Sequence, residues 1–220
     1  MTNELIFALY ILIVSGTTLG ALWLGSHALV TFMALQWVLA NLFVTKQIVL
    51  FGLTVTASDA LAIGATLCLN VLQEYYGKAL ARQAIVISFC ATIFYTALSL
   101  LQTLYCPAPQ DVAHEHFCAL LNPMPRLIIA SMTTYLIVQL LDYKLYGFLK
   151  RALPRQSLVL RNYISIGITQ LLDTVLFSFL GLYGMVASLA SIIIVSYTIK
   201  VAVLLCAAPF MALSKYFYRK

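Results

Sequence analysis

Seven long apolar stretches, separated by short polar segments, constrain the fold of this chain more than any other feature of its sequence. A helix needs about 20 apolar residues to cross the hydrocarbon core of a bilayer, and each stretch is near or above that length. We therefore predict an all-α fold: a polytopic membrane helix bundle that forms a single transmembrane domain over residues 1–220. The predicted spans are 4–24, 27–46, 55–76, 79–105, 124–149, 159–182 and 186–213.

The composition agrees with this prediction, since 63% of the residues are hydrophobic and only 9% are charged. A soluble domain has about 45–50% apolar and about 25% charged residues, so the chain has no room for a separate soluble domain. The five cysteines form no CxxC pair, which argues against a zinc or redox site. No metalloprotease, nucleotide-binding or nucleophile motif occurs, so we expect neither an enzyme nor a bound metal or other cofactor.

The positive charges between the spans predict how the chain is oriented in its membrane. Loops rich in Lys and Arg lie in the cytoplasm, so we assign the net charge of +6 to membrane topology rather than to nucleic-acid binding. The N-terminus is then outside the cell (inner) membrane, the C-terminus is cytoplasmic and loop 107–123 is external. This topology leaves open a disulfide between Cys106 and Cys118 in that loop. The cytoplasmic charges are Lys78, Arg82, Lys144, Lys150, Arg151, Arg155, Arg161, Lys215, Arg219 and Lys220.

Two charged groups interrupt the last two spans. Asp173 follows Arg161 by twelve residues, which is about 18 Å along a helix, so Asp173 lies deep in the bilayer if Arg161 is at its surface. Lys200 lies near the middle of the last span. A charge at such a depth is costly unless it meets a partner, water or a ligand. One interpretation is a structural ion pair between two helices. The other is a polar cavity that opens outward, with Gln170 on the same helix face as Asp173.

Further polar side chains within or beside the spans are candidates for a binding site. Asn70 and Glu74 are four residues apart and share a helix face, although Glu74 is equally consistent with a solvated position at the interface. A tyrosine hydroxyl inside a span needs a hydrogen-bond partner, and Tyr197 can either pack or stack on a flat ligand. The candidates near the predicted outer ends of their spans are Asn41, Lys46 and Arg126.

Five short motifs occur in the order and spacing typical of one family of integral membrane proteins. On these motifs the chain resembles the queuosine precursor transporters, which are of the vitamin-uptake-transporter type. The resemblance covers about residues 40–210, and span one lies outside it. The motifs are ANLFVTKQIVLFGLTV at 40–55, LNVLQEYYGKALAR at 69–82, PRLIIASMTTYLIVQLLD at 125–142, LRNYISIGITQLLDTVLF at 160–177 and SYTIKV at 196–201.

The resemblance implies both a fold and a function. The implied fold is a six-helix core, made of spans two to seven, similar to the substrate-binding subunits of energy-coupling-factor vitamin transporters, plus one extra N-terminal helix. The implied function is import of queuine, or of its cyano or aminomethyl 7-deazaguanine precursors, for tRNA modification. Many members carry Asp where this chain has Asn70, which puts a mechanism that needs an acid there in doubt. The polar positions that match the family are Asn41, Lys46, Glu74, Arg126, Gln139, Arg161, Gln170, Asp173, Tyr197 and Lys200.

Such a substrate has chemistry that these side chains can recognise. A guanine-like edge offers a ring N–H and an amine as adjacent donors, and a carboxylate accepts both in charge-assisted hydrogen bonds. We expect Asp173 or Glu74 to hold this edge beside Gln170, while Gln170, Lys200 or Asn70 donates to the neighbouring carbonyl. The expected partners are therefore a small-molecule 7-deazapurine base and the lipid bilayer, with no direct contact to nucleic acid.

Two other functions are consistent with the sequence. A vitamin-binding subunit of an energy-coupling-factor importer would share the fold and would need an ATP-driven coupling module. A membrane scaffold or chaperone would use Asp173 and Lys200 only as a structural pair. Co-purification of an ATPase would favour the first alternative, and full function after a swap of the two charges would favour the second.

Overall fold

The computed structural model describes residues 2–43, 46–56, 58–121, 125–183 and 189–218. Over these residues the chain is a bundle of long helices with one short β-hairpin, which confirms the predicted all-α membrane bundle. A π-helical turn continues the seventh helix. The helices are α1 (Asn3–Leu24), α2 (Ser26–Phe43), α3 (Asp59–Tyr75), α4 (Lys78–Thr103), α5 (His114–Leu121), α6 (Pro125–Ala152), α7 (Leu158–Phe177, then the π-turn Ser178–Leu182) and α8 (Leu189–Phe217), and the strands are β1 (Gln47–Leu50) and β2 (Leu53–Thr56).

The β-hairpin stands where the sequence predicts the end of one span and the start of the next. Its strands pair antiparallel. The neighbouring helices α2 and α3 end at Phe43 and begin at Asp59, a few residues inside the predicted spans 27–46 and 55–76. The turn residues Phe51 and Gly52 have φ angles of 50° and 78°. Positive φ at both positions is what a type I′ turn requires, and the twist of this turn matches the twist of a hairpin.

Four helices, α1, α2, α4 and α7 with its π-turn, are long and apolar enough to cross a membrane. A bend of 40° at Pro209 divides α8, which is a fifth candidate if its two parts form one span. Proline inside a helix removes a backbone hydrogen bond and kinks the helix. Neither α3, with 17 residues, nor α6 is among these candidates. The chain is thus a multi-pass membrane protein, and the count of seven spans stays a prediction.

The third helix, α3, lies at the centre of the bundle, because its side chains are buried along almost its whole length and it contacts α1, α2, α4, α6, α7 and α8. It approaches two neighbours closely at Gly64. A Cβ there would lie 2.3 Å from Cγ1 of Val14 in α1 and 2.1 Å from Oε1 of Gln36 in α2. Glycine at this position therefore allows three helices to pack together.

The first helix does not use its glycines in this way. The small-xxx-small spacing of Gly16 and Gly20 predicts a close helix contact. Within the described part of this chain no such contact forms, because a Cβ added at either glycine would meet no atom within 4 Å. The close approach of α1 to the bundle occurs instead through Val14, against Gly64 of α3.

Contacts between helix ends show which ends share a side of the bundle. Oη of Tyr75 and Oγ of Ser214, in the last turns of α3 and α8, are 2.9 Å apart. Arg161 in the first turn of α7 and Lys150 in the last turn of α6 both contact Glu74 of α3. The basic loops assigned to the cytoplasm are on this side, so these helices alternate in direction as the predicted topology requires. The assignment of this side to the cytoplasm stays a prediction.

The segment before α6 contains the short helix α5 and two cysteines. Cys106 and Cys118 are both free thiols, and Sγ of Cys118 lies 3.5 Å from Nε2 of His114 in the same helix. The disulfide that the topology left open is therefore not formed.

Candidate functional site

A row of polar side chains, most of them buried, lies between α3, α6 and α7 and reaches α8. We call it the polar row. It brings together six of the ten predicted binding residues, namely Asn70, Glu74, Gln139, Gln170, Asp173 and Lys200. Its length is about 18 Å, from the height of Arg161 to that of Asp173 on α7. The polar row consists of Thr66, Asn70 and Glu74 of α3, Gln139 and Asp142 of α6, Arg161, Asn162, Ser165, Thr169, Gln170 and Asp173 of α7, and Lys200 of α8.

An ion pair lies at the end of the polar row that the predicted topology places outside. Nζ of Lys200 donates to Oδ2 of Asp173 at 2.5 Å, and the two side chains are 6% and 17% exposed. Lys200 also interacts electrostatically with Asp59 in the first turn of α3. Because each charge is balanced by an opposite one, α7 and α8 can carry them inside an apolar bundle. The expected approach of Asp173 and Lys200 is confirmed.

A second charged cluster lies at the opposite end of the polar row. Oε1 of Glu74 accepts a hydrogen bond from Arg161 at 2.6 Å, and Oε2 accepts one from the hydroxyl of Tyr146 at 2.9 Å. Nζ of Lys150 lies 3.3 Å from Oε2 and donates to the backbone oxygen of Glu74 at 2.7 Å. A cation is favourable there, because the last carbonyls of α3 lack helical partners. Glu74 therefore links α3 to α6 and α7, which a merely solvated interfacial residue would not do.

Between these two ends lies Asp142, a carboxyl group of α6 with no exposed surface. Its Oδ1 accepts hydrogen bonds from Oγ of Ser165 at 2.7 Å and from Oγ1 of Thr169 at 3.2 Å, both on α7. Its Oδ2 has no hydrogen-bond partner within the described ranges. Among the residues that the structure describes, no Lys or Arg forms an ion pair with Asp142. Among the described residues, Asp142 is thus surrounded by neutral groups, namely these two hydroxyls and the amide of Asn70.

Side-chain amides of the polar row have unfilled hydrogen-bonding capacity. In the described ranges, both polar atoms of Asn70, Gln139 and Asn162 lack a hydrogen-bond partner, as does Oε1 of Gln170. Nε2 of Gln170 reaches Oγ1 of Thr66 at 3.5 Å. All four amides are buried, with at most 3% of each residue exposed. Most buried polar groups in proteins are hydrogen-bonded, so this cluster indicates a place where a polar ligand or water completes the bonding.

Sequence reasoning missed Asp142, although the sequence contains a signal for it. The tetrapeptide QLLD occurs twice, at 139–142 in α6 and at 170–173 in α7. In each copy Gln and Asp are three residues apart and share a helix face. Because Lys144 follows Asp142 by two residues, the first copy resembles the polar edge of a span rather than its interior. The tertiary structure shows that both copies face the polar row.

Of the other four predicted binding residues, the three whose side chains are described lie outside the polar row. Asn41 bonds to α6, since its Oδ1 accepts from Oγ of Ser131 at 2.9 Å. Oη of Tyr197 donates to a backbone carbonyl of α7 at 3.2 Å, so its hydroxyl has a partner without a ligand. Lys46 is exposed between α2 and the hairpin. Arg126 is in the first turn of α6, and its side chain lies outside the described part of the structure.

The polar row offers hydrogen-bonding groups and charges. In the part of the chain that the structure describes, no three His, Cys, Asp or Glu side chains are grouped so as to hold a metal ion. Amides, hydroxyls and carboxylates together can donate to and accept from one small polar molecule. The arrangement is therefore suited to binding such a molecule between helices.

Ionisable groups inside a multi-pass helix bundle are typical of membrane proteins that move solutes or ions. The fold and the polar row thus define a membrane transporter as the class. Residues 48–214 match the family model described as "Putative vitamin uptake transporter", and the chain belongs to this family of transporters.

One curated relative is similar over most of its length. The chain is 32% identical over 195 residues to the "Probable queuosine precursor transporter" of Bacillus subtilis (strain 168). The aligned region covers 87% of this chain and 85% of the relative. No solved structure matches the chain, so the likeness of a six-helix core to energy-coupling-factor subunits stays a prediction. Neither comparison supports the alternative of a vitamin-binding subunit with an ATP-driven module.

Proposed function

We propose that this protein imports a queuosine precursor, either queuine or one of its 7-deazaguanine precursors, for tRNA modification. The observation that carries the proposal is the similarity to the Bacillus subtilis relative, which extends over 87% of this chain. The polar row supports it, because a polar base that leaves water needs hydrogen-bonding groups in exchange. In this proposal the membrane is the cell (inner) membrane, with the N-terminus outside and the C-terminus in the cytoplasm.

The unfilled amides match the chemistry of the proposed substrate. A guanine-like edge presents two adjacent donors and a carbonyl acceptor, and each amide offers both a donor and an acceptor. Asn70, Gln139 and Gln170 are buried within the polar row and have free polar atoms. A site of this kind rejects analogues that leave its buried groups unpaired. We therefore propose that these three amides contribute to recognition of the heterocycle, together with the carboxylates at the ends of the polar row.

The carboxylates at the two ends of the polar row have different proposed roles. The side chain of Asp173 is 17% exposed. At the outer end of the polar row, Asp173 holds the donor edge of the base. The bound substrate then replaces part of the contact between Asp173 and Lys200. Glu74 contacts the base at the inner end, where Arg161 and Lys150 share its charge. The remaining predicted binding residues contact the substrate as it reaches or leaves the polar row: Asn41, Lys46, Arg126 and Tyr197.

Rescue of tRNA modification in a host that can neither make nor import queuosine precursors tests this function. We expect the wild type to restore queuosine when queuine or one of the two precursors is supplied. Asp173→Asn removes a charge from a buried pair and should lower uptake by about tenfold or more. Asp111→Asn, in the exposed segment before α5, is the matched control and should behave as the wild type.

Two results would overturn parts of the proposal. If membrane-inserted wild type restores modification with none of the three compounds, the substrate is wrong. If Asp173→Asn takes up substrate with normal affinity, Asp173 has no part in binding and the pair with Lys200 is structural.

A further inference from the structure

Carboxylates lie at three levels of the polar row, and two of the three are balanced by fixed cations. Glu74 and Asp173 each contact the charged end of a Lys or Arg side chain. Asp142 has no exposed surface, whereas the side chains of Glu74 and Asp173 are 18% and 17% exposed. The most deeply buried of the three carboxyl groups is thus the one that forms no ion pair with a described Lys or Arg.

The two copies of QLLD differ in whether their carboxyl group has an ion-pair partner. In the second copy Asp173 meets Lys200 of α8. In the first copy Asp142 accepts hydrogen bonds at Oδ1 from the hydroxyls of Ser165 and Thr169, and the neutral amide of Asn70 lies beside it. The same tetrapeptide therefore provides one carboxylate that is paired with a lysine in this arrangement and one carboxyl group that forms no ion pair with a described Lys or Arg.

An ionised carboxylate at Asp142 would lose its hydration without gaining an opposite charge, which is strongly unfavourable. A protonated carboxyl group is neutral, and it needs an acceptor for its own O–H. The amide of Asn70 lies within hydrogen-bonding reach of Asp142. It can donate its N–H to the carboxylate, or accept from the protonated carboxyl group with its oxygen, which has no other partner among the described residues. With Oδ1 already accepting two hydrogen bonds, Oδ2 is the place for the proton.

Charged and titratable groups on the helices around Asp142 do not neutralise it. Arg161 and Lys150 form ion pairs with Glu74, and the hydroxyl of Tyr146 donates a hydrogen bond to the carboxylate of Glu74. Lys78 is exposed, so its charge is solvated. The groups that face this region are Glu74 of α3, Lys78 of α4, Tyr146 and Lys150 of α6, and Arg161 of α7.

We propose that Asp142 binds a proton in this closed arrangement and that the proton crosses the membrane together with the substrate. The proton passes from water on the outer side to Oδ2 of Asp142, and the neutral side chain can then be buried. When the polar row opens to the inner side, Asp142 meets water again, releases the proton there and returns to the carboxylate. The identity of the substrate rests on the proposed function, whereas the proton site rests on Asp142 and its neighbours alone.

Transport by the purified full-length protein in vesicles tests the coupling. Uptake of labelled queuine or either precursor is measured with and without an acid-outside pH gradient, and again with a protonophore. We expect the gradient to increase uptake by the wild type and the protonophore to abolish the increase. Asp142→Asn cannot exchange a proton and should show the same uptake with and without the gradient. Asp142→Glu should keep the response, and Asp111→Asn should match the wild type.

A response to the gradient that is unchanged in Asp142→Asn would overturn the proposal, as would wild-type uptake that is insensitive to the gradient. Infrared spectroscopy provides a second readout that needs no substrate. We expect the wild type at neutral pH to show the band of a protonated carboxyl group, which is absent in Asp142→Asn and present in Asp111→Asn. A spectrum that Asp142→Asn leaves unchanged would place no proton on Asp142.

The two readouts separate failure of the proton site from failure of the proposed function. If the wild type transports none of the three compounds, the substrate assignment fails. The infrared spectra of the same preparations still decide whether Asp142 carries a proton, because this measurement requires only the folded protein.

Discussion

At the scale of single residues, identical sequence leads to different electrostatics. Asp142 and Asp173 occupy the same position of the same tetrapeptide, but in the part of the chain that the structure describes only Asp173 forms an ion pair. Partner choice depends on which helix packs opposite: α8 carries Lys200, whereas the side of α7 that faces Asp142 presents Ser165 and Thr169. The ionic state of a buried carboxyl group is therefore a property of the packed bundle rather than of its local motif.

The ion pair of Asp173 and Lys200 leads to a prediction about stability. Lys200→Met leaves Asp173 largely buried without its partner, and breaking a buried pair in this way costs about 3–5 kcal/mol. We expect a lower midpoint of thermal unfolding for this variant in detergent. The double variant Asp173→Asn, Lys200→Met removes both charges and should unfold at a higher temperature than Lys200→Met alone. If the two substitutions lower the midpoint additively, the pair contributes no coupling energy.

At the scale of elements, α3 positions the site because neighbours surround it on all sides. Its buried residues include Asn70 and Gln73, and Glu74 near its end contacts α6 and α7. A helix with an apolar surface all round would pack equally well in several rotations. The polar groups of α3 and the close approach at Gly64 favour one rotation, which directs Asn70 toward Asp142.

Substitution of Gly64 tests the packing of α3. The Cβ of Gly64→Ala would lie 2.3 Å from the stiff side chain of Val14, so α1 and α3 must move apart. Overpacking of this kind costs about 1–3 kcal/mol, and we expect a lower midpoint of thermal unfolding. Gly16→Ala is the matched control, because its Cβ meets nothing within 4 Å, and it should unfold like the wild type. Equal midpoints for both variants would contradict the close packing at Gly64.

At the scale of the whole molecule, the contacts between helix ends sort the loops onto two sides. The ends of α3, α6 and α8 meet the start of α7 on one side. The N-terminus of α1 meets the hairpin, where the side chain of Asn3 donates to the backbone oxygen of Val49 at 3.0 Å. The predicted topology places the first of these sides in the cytoplasm and the second outside the cell.

Labelling of single cysteines tests this orientation. Cys106 is an exposed free thiol in the loop after α4, and a variant that keeps only this cysteine should react with a membrane-impermeant maleimide in intact cells. Gln156→Cys in a cysteine-free background, in the exposed loop between α6 and α7, should react only after the membrane is permeabilised. The reverse pattern would invert the topology, and labelling of both in intact cells would place both loops outside.

The sequence by itself determined the class of fold. Apolar stretches long enough to span a bilayer leave few alternatives to a helix bundle, and charged residues between them specify which loops share a side. It also pointed to Asp173 and Lys200, because charges within apolar spans stand out. It did not show that residues 47–56 form a hairpin: the run is short and apolar, and hydropathy alone does not separate a strand from the end of a span.

Only the tertiary structure decided which polar residues share a site. Asp142 lies near basic residues in the sequence, but the packing of α6 on α7 buries it completely. Glu74 is close in sequence to Lys78, but it binds Arg161 and Lys150 from other helices. Helical periodicity specifies the face on which a side chain lies, whereas the rotation and height at which helices pack specify what that face meets. These two quantities depend on the whole bundle, so the candidate site could be predicted only in part.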